Sequence, residues 1–157
     1  MNTILRKEVI GPDVVRMTVE APKIARRAKA GQFVILRVCD DGERFPLTIA
    51  DSDAAAGTID LIFAIVGKST ELLAAQAVGQ SILDLVGPLG LATEIEKFGR
   101  VLCVGGGIGV APLYPIAKAL KAAGNTVVAV LGARGQGRAR RVAAQLSALL
   151  EAPARNR

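Results

Sequence analysis

The sequence predicts a small six-stranded β-barrel over residues 1–98, followed by a partial α/β unit of the Rossmann type over residues 99–157. Two observations indicate this division. Before residue 90, short apolar runs separated by turn formers recur at near-regular spacing, as in small β-barrels. After Gly99, a continuous apolar run leads into glycines and then into a helical pattern, which is typical of a parallel β–α–β unit.

Six segments of the first part are predicted as strands because apolar residues fill them. They are residues 6–10, 14–20, 32–38, 44–50, 58–66 and 81–86. Glycine, proline and aspartate mark the turns, as in Gly11-Pro12-Asp13. One helix is predicted in this part, over residues 71–78, with Ser69 or Thr70 as its N-cap.

The second part is organised around residues 101–112, which read VLCVGGGIGVAP. Residues 101–104 predict a strand buried on both faces, and a helix is predicted from about residue 110 to residue 123. The intervening glycines would let the main chain turn tightly and admit a bulky anion. Free N–H groups at a helix start favour a phosphate, so the segment predicts a seat for a dinucleotide pyrophosphate. A strand–turn–helix element without a ligand is the alternative.

A second strand is predicted over residues 126–131, and a helical pattern follows over residues 138–150. Two parallel strands make a poor sheet, whereas a complete dinucleotide-binding half has about five. Half of residues 134–157 are alanine or arginine, unlike the chain before them. The sequence therefore predicts an atypical Ala/Arg-rich tail on a truncated, frame-altered or fragmentary nucleotide-binding unit.

The distribution of charge and hydropathy excludes several classes of function. The formal net charge is +6, but residues 1–133 contain 14 basic and 13 acidic side chains, so the excess lies in the tail. With 3% aromatic residues, this distribution argues against nucleic-acid binding. No apolar run reaches the roughly 18 residues of a membrane span. The N-terminus lacks the pattern of a signal peptide, so we expect a cytoplasmic protein.

Several catalytic and metal sites are also excluded or disfavoured. The chain has no histidine, which rules out a Ser–His–acid triad, a Cys–His pair and His-bearing zinc sites. Cys39 and Cys103 lie in apolar runs and are predicted to be buried structural thiols. The acidic turn at residues 40–43 is more typical of a solvated loop than of a metal site. Gly67-Lys68-Ser69 resembles the end of a P-loop, but Ile62 stands where that motif needs glycine.

Five short motifs, in this order and spacing, resemble those of the ferredoxin–NADP reductase superfamily. More narrowly, they resemble the electron-transfer subunits of dihydroorotate dehydrogenase and of NADH-dependent reduced ferredoxin:NADP oxidoreductase. The resemblance extends over residues 1 to about 133. The motifs are Gly31-Gln32-Phe33, Arg44-Phe45-Pro46-Leu47-Thr48-Ile49, Gly67-Lys68-Ser69-Thr70, Gly87-Pro88-Leu89-Gly90 and Gly105-Gly106-Gly107-Ile108-Gly109-Val110-Ala111-Pro112.

The resemblance implies that the barrel is of the Greek-key type and binds FAD, and that the following unit binds NAD(P)H. Pro46, Leu47 and Thr48 would line the flavin. Phe63, Ala64 and Ile65 would form the strand beside the other end of the cofactor. Ser69 and Thr70 would hold the FAD pyrophosphate through backbone N–H and hydroxyl groups. The phosphates of the nicotinamide dinucleotide would lie on Gly105, Gly106, Gly107 and Gly109.

Two arginines and the number of cysteines help to predict which cofactors the chain binds. The superfamily places arginine three residues before its Ser/Thr, where this chain has Phe45, while Arg44 lies four residues before Thr48. A contact of Arg44 with FAD phosphate and a surface salt bridge are both open. Arg134, after the second strand, favours NADP over NAD. No [2Fe–2S] cluster is expected in this chain, because two distant cysteines cannot supply four ligands.

Two functions follow from these observations. In the first, the chain is a flavoprotein electron-transfer subunit that passes electrons between NAD(P)H, FAD and a larger flavoprotein or catalytic partner subunit. No side chain then has to act as an acid or base, because the flavin performs the chemistry. The alternative is a truncated, non-catalytic remnant that binds FAD or another subunit.

Overall fold

The computed structural model describes residues 2–132. The chain separates into a unit of Met1–Thr93 and a second unit that begins at Glu94, and each is described by itself. The predictions for Arg134, for a helical pattern at residues 138–150 and for the tail at residues 134–157 lie outside the described residues.

The first unit is built on one antiparallel sheet of six strands, which confirms the number predicted from the sequence. Its strand order is β1-β2-β5-β4-β3-β6, and the order β2-β5-β4-β3 is that of a Greek key. The strands are β1 (Ile4–Gly11), β2 (Val14–Glu20), β3 (Phe33–Arg37), β4 (Phe45–Asp53), β5 (Thr58–Ala64) and β6 (Asp84–Leu89).

The predicted closure of these strands into a barrel is not found. The outer strands β1 and β6 do not pair along their lengths, and a single bridge between Thr3 and Ser81 joins their ends. Two backbone hydrogen bonds flank this bridge, from Ile4 N to Gln80 O at 2.8 Å and from Ile82 N to Asn2 O at 3.0 Å. The sheet is thus curved so that its two edges meet at one point, but it is not closed by pairing between β1 and β6.

Two helices accompany the sheet. Helix α1 (Pro22–Ala25) is a single turn that the sequence analysis did not predict, and it places Ile24 and Ala25 in the core. Helix α2 (Lys68–Ala75) begins three residues before its predicted start, so the prediction of Ser69 or Thr70 as its N-cap was wrong. Gly67 occupies that position, and Thr70 lies within the first turn.

The core of the first unit comes from the inward-facing residues of these strands. Along β2 and β5, buried residues alternate with half-buried ones, as expected for a sheet with one covered face. Eleven of the sixteen core residues have fully buried side chains. They are Ile4, Val15, Met17, Val19, Val34, Leu36, Ile59, Leu61, Phe63, Leu73 and Ile82.

Within the described residues, the second unit is one β–α–β element. Strand β7 (Arg100–Gly106) is followed by a single 3₁₀ turn (Gly107–Gly109), helix α3 (Val110–Ala122) and strand β8 (Thr126–Gly132). The two strands are parallel, as predicted, and Arg100 lies opposite Thr126 at the start of the register. The Rossmann-like part described here is therefore limited to a small parallel sheet with one helix on it.

Helix α3 covers one face of the two-stranded sheet. Ala117 and Leu120 pack with Cys103 to form a small core, with partly buried residues around it. The opposite face exposes four paired aliphatic side chains, Leu102 with Val128 and Val104 with Val130. The prediction that residues 101–104 form a strand buried on both faces was therefore wrong. No helix of residues 2–132 combines the length and the hydropathy that crossing a membrane requires.

The two cysteines occupy different environments. Cys103 is 4% exposed, and burial raises the pKa of its thiol, so it stays protonated at neutral pH. Cys39 is exposed, which shows that the prediction of a buried thiol there was wrong. Strand β3 ends at Arg37, and Cys39 follows it in a turn that Gly42 N closes by donating to Cys39 O at 2.9 Å.

Asn125 joins the ends of three segments in the second unit. It is 7% exposed, and its amide donates to Glu96 O at 2.7 Å and to Leu120 O at 2.8 Å. Its side-chain oxygen accepts from Gly99 N at 2.9 Å. One side chain thereby bonds two backbone groups before β7, at Glu96 and Gly99, and one near the end of α3, at Leu120.

We expect Asn125→Ala to lower the free energy of unfolding of the second unit by about 1–3 kcal/mol. Gly99 N loses its acceptor, while Glu96 O and Leu120 O each lose their side-chain donor. The fluorescence of Tyr114, the only tyrosine in a chain without tryptophan, reports this unfolding locally because Tyr114 is buried on α3. Thr126→Ala, at an exposed neighbouring position, should change stability by less than about 0.5 kcal/mol. Equal effects of the two substitutions would contradict this role for Asn125.

Candidate functional site

In the first unit, the residues predicted to line the flavin and those predicted to hold the FAD pyrophosphate lie towards the same end of the sheet. Strands β4 and β5 are antiparallel, and Ile49 lies opposite Leu61. The pairing of the two strands stops there, so Thr48, just before Ile49, and the residues just after Leu61 lie at the same end of the paired segment. The latter segment ends β5 at Ala64 and leads into α2 at Lys68.

Pro46 and Thr48 lie on the outward face of the sheet. In the register of β3 and β4, Phe33 is opposite Thr48 and Ile35 is opposite Pro46. Directly opposite residues share a face, so these four side chains form one surface. It combines three apolar side chains with a single hydroxyl group, and Pro46 is its exposed member.

Leu47 and Phe63 lie on the inward face instead. Leu47 is opposite Val34, which is fully buried, and it packs against the core. Phe63 is 2% exposed and is itself part of that core. Only the main chain of these two residues can border a ligand outside the sheet. Of the other two residues predicted beside the cofactor, Ala64 is half-buried and Ile65 packs partly on the core.

The entry to α2 is organised by Thr70. Its hydroxyl oxygen accepts from Val66 N at 3.0 Å and Gly67 N at 3.2 Å, and its proton is donated to Gly67 O at 2.8 Å. The first intrahelical bond runs from Glu71 N to Gly67 O at 2.9 Å. The N–H groups of Lys68, Ser69 and Thr70 precede that bond and have no acceptor within the helix.

Arg44 forms a salt bridge. Its Nη2 atom lies 2.8 Å from Oδ2 of Asp84, which also accepts from Nε of Arg37 at 2.8 Å. The Arg44 side chain is 60% exposed, so this pair contributes little to stability. Of the two roles left open by the sequence, the structure contains the salt bridge. The contact with FAD phosphate stays a prediction, which would require Arg44 to leave Asp84.

Gln32 connects two of the motifs, a contact that the sequence analysis missed. Its side-chain oxygen accepts from Lys29 N at 2.9 Å, and its amide donates to Gly90 O at 2.9 Å. A Cβ atom on Gly90, where φ is +79°, would come within 2.7 Å of the Phe33 ring. The Gly87–Gly90 motif is thus held against the outward residue opposite Thr48. Both motifs were visible in the sequence, but no local signal shows that they touch.

The glycines of the second unit differ in what requires them. A Cβ atom on Gly105 would lie 2.8 Å from Cδ2 of Leu113, so this glycine allows α3 to pack on β7. Gly107 has φ of +55°, a conformation that favours glycine.

Neither reason applies to Gly106 and Gly109. Gly106 is extended, with φ of −139°, and its Cβ atom would meet Gly132 O at an ordinary 3.5 Å. Gly109 has φ of −62°, and a Cβ atom there would meet nothing within 4 Å. The fold alone therefore does not account for these two glycines, whereas close approach of a ligand to the main chain would.

Metal binding gains no support from the acidic residues. Within residues 2–132, no group of three or more histidine, cysteine, aspartate or glutamate side chains is arranged to hold a metal ion. This includes the acidic turn at residues 40–43.

Comparison with known proteins identifies relatives of the chain. It is 48% identical over 134 residues to a homologue of the dihydroorotate dehydrogenase B (NAD(+)) electron transfer subunit from Thermotoga maritima, a match that covers 85% of this chain and 48% of that protein. It is 36% identical over 141 residues to the corresponding subunit from Shouchella clausii, covering 85% of this chain and 54% of the relative. The chain is homologous to these electron-transfer subunits. It spans about half the length of the relatives that it matches.

Solved structures agree with this homology. The NADH-dependent reduced ferredoxin-NADP oxidoreductase structure, described in terms of flavin-based electron bifurcation, has 47% identity and a TM-score of 0.86 over 88% of this chain and 50% of the other. The cytochrome b5 reductase domain of Ulva prolifera nitrate reductase has 18% identity and a TM-score of 0.69, covering 94% and 66% respectively, and supports the fold alone. The resemblance to the ferredoxin–NADP reductase superfamily is thereby confirmed. No protein-family model matches the chain.

The entry to α2 can be tested without a ligand. We expect Thr70→Val to weaken this entry by about 1 kcal/mol, because the backbone N–H groups of Val66 and Gly67 lose their acceptor. The amide hydrogens of Val66 and Gly67 should then exchange with solvent roughly fivefold faster, which hydrogen–deuterium exchange can measure.

Ser69→Ala is the matched control, since it removes a neighbouring hydroxyl and leaves the Thr70 bonds in place. Unchanged exchange in Thr70→Val, or the same acceleration in Ser69→Ala, would contradict the assignment.

Proposed function

We propose that the chain is the FAD-binding part of an electron-transfer flavoprotein, which passes electrons between NAD(P)H, FAD and a larger catalytic partner subunit. One observation carries the proposal. The outward surface of Phe33, Ile35, Pro46 and Thr48 and the free N–H groups at the start of α2 lie towards the same end of one sheet. A flavin dinucleotide needs both an apolar surface for its ring and donors for its pyrophosphate.

The outward surface suits the isoalloxazine ring. Phe33, Ile35 and Pro46 offer apolar contact, and the hydroxyl of Thr48 can hydrogen-bond a ring nitrogen or oxygen without introducing a charge. When bound, FAD supplies reversible acceptance of a hydride and release of single electrons. The side chains of this surface then need only to orient the ring and exclude water from part of it.

The start of α2 suits the pyrophosphate. Three backbone N–H groups converge there at the positive end of the helix dipole, and Lys68 adds an exposed cation. Gly67 has an extended backbone, and a Cβ atom on it would meet nothing within 4 Å, so space remains beside these donors. We assign this role to the main chain of residues 68–70 and to the hydroxyl of Ser69. The proton of the Thr70 hydroxyl is already donated to Gly67 O.

The second unit suits the phosphates of a nicotinamide dinucleotide. Gly105, Gly106, Gly107 and Gly109 lie where β7 ends and the helical segment begins, the position at which parallel α/β sheets bind phosphates. Gly106 and Gly109 leave open the space that a side chain would fill.

The names of the relatives support the electron-transfer role. Two are electron-transfer subunits, or homologues of them, of a dehydrogenase that uses NAD(+), and the similar solved structure is of an enzyme with flavin-based electron bifurcation. We carry over from them a flavin, a nicotinamide dinucleotide and a larger partner subunit, and we leave the final electron acceptor unassigned.

An anaerobic titration tests this function. Purified chain reconstituted with FAD should show a flavin absorption band that bleaches when NADH or NADPH is added without oxygen. Reduction by one of the two nucleotides at lower concentration assigns the preferred donor. Failure to bind FAD would overturn the proposal. If FAD binds but neither nucleotide reduces it, the proposal that the chain uses NAD(P)H would be overturned.

A glycine pair tests the nicotinamide site. We expect Gly109→Ala to raise the NAD(P)H concentration needed for half-maximal bleaching by about tenfold, because the new Cβ atom would occupy space reserved for the phosphates. It should leave thermal stability unchanged or slightly raised, since φ is −62° and the space is open.

Gly105→Ala differs from Gly109→Ala in its effect on stability. It should lower stability by about 1–3 kcal/mol through the clash with Leu113. A Gly109→Ala protein with normal NAD(P)H dependence would count against the phosphate site.

A further inference from the structure

We propose that Lys7 is a positioning residue for the pyrophosphate end of the flavin site, acting through helix α2. This inference rests on the proposed function. Lys7 lies on β1, 67 residues before Ala74, and neither its sequence context nor the predicted site residues indicate such a role. The argument comes from the contacts that hold α2 in place.

Helix α2 has few apolar contacts to fix its direction. It has eight residues, and only Leu73 among them is buried. Leu72 and Ala74, beside it, pack partly on the core. All three lie in the second half of the helix, while Lys68 in the first turn is exposed. The position of the helix start, which presents the N–H groups, therefore depends on how firmly the other end of the helix is held.

The carbonyl end of α2 is held by donors from two sources. Gln76 supplies two of them, through its backbone N–H to Leu73 O at 3.1 Å and its side-chain amide to Leu72 O at 3.4 Å. Lys7 supplies the other, because its ammonium group donates to Ala74 O and also to Gln76 O, the latter at 3.0 Å. Gln76 is local to the helix end. Lys7 is the donor that ties this end to the sheet.

Strand β1 provides a firm base for Lys7. Lys7 lies opposite Met17, which is fully buried, so its alkyl stem starts on the inward side of the sheet. The same strand also binds the segment that follows α2, through Ile4 N to Gln80 O and Gly79 N to Ile4 O, both at 2.8 Å. Displacement of the Lys7 ammonium group would release the helix end while leaving these backbone bonds intact.

Charge reinforces the geometry. A cation at the carbonyl end and an anion at the N–H end both stabilise the same helix dipole. Lys7 would thus hold the direction of the helix and also balance the phosphate charge proposed for its other end. Loss of Lys7 should therefore weaken the binding of a flavin that carries a pyrophosphate more than that of one without it.

The test compares two flavins on the full chain. FAD and riboflavin share the isoalloxazine ring, but only FAD carries a pyrophosphate. Flavin-free protein is titrated with each, and binding is followed by the change in flavin fluorescence. We expect Lys7→Met to weaken FAD binding about fivefold to twentyfold and to change riboflavin binding by less than about twofold.

Three further variants complete the test. Lys7→Arg keeps the charge and donors and should restore most of the FAD affinity. Lys23→Met removes the same charge from an exposed position in α1 and should bind both flavins as the wild type does. Lys7→Gln keeps one donor group without the charge. It should show the same selective loss of FAD binding in a milder form, and it replaces Lys7→Met in the test if that variant does not fold.

The outcomes separate this inference from the proposed function. Wild-type chain that binds no FAD overturns both. Wild-type binding of FAD with unchanged affinity in Lys7→Met and Lys7→Gln overturns the role of Lys7 alone. Equal loss of FAD and riboflavin also overturns it, because Lys7 would then support the fold in general. Selective loss of FAD, restored by arginine, supports the inference.

Discussion

The alternation of side chains along β3 and β4 is the constraint on which the first unit depends. Val34 and Leu36 point inward and are fully buried, while the alternate residues Phe33 and Ile35 point outward. The same strand pair therefore carries part of the core on one face and the proposed flavin surface on the other. A shift of one residue in its register would move Thr48 into the core and Leu47 onto the surface.

This constraint explains why the site residues divide as they do. Pro46, Leu47 and Thr48 are consecutive, yet only the first and third can offer side chains to a ligand outside the sheet. Phe63 obeys the same rule on β5, where its side chain belongs to the core and its main chain leads towards α2. A consecutive motif on a strand thus combines ligand contact with core packing, and the two requirements restrict its sequence together.

The sequence predicted the elements whose patterns are strong and local. The apolar runs of β2, β7 and β8 lie close to their predicted positions, and the start of α3 at Val110 agrees with its periodicity. Helix α1 was missed because four residues are too few to show a helical period. Cys39 was misplaced because an apolar run does not reveal where its strand stops. The open edge between β1 and β6 depends on long-range curvature, which local patterns do not encode.

The same limit applied to the candidate site. The glycines at residues 105–109 are a local signal for one phosphate position, whereas the position at Ser69 and Thr70 followed from the family resemblance. The contacts of Gln32 with Gly90 and of Lys7 with Ala74 join residues far apart in sequence, so nothing local announces them.

The two proposed phosphate positions differ in what holds them. The glycine turn after β7 is supported directly by packing, since Gly105 lets Leu113 of α3 come close to the strand. The start of α2 has no comparable apolar support. It is fixed by polar contacts at both ends, Thr70 at one and Gln76 with Lys7 at the other. Hydrogen bonds are directional but individually modest, so a seat built from them is sensitive to the loss of one donor. Removal of Lys7 should therefore act on the position at the start of α2 and leave the glycine turn after β7 unaffected.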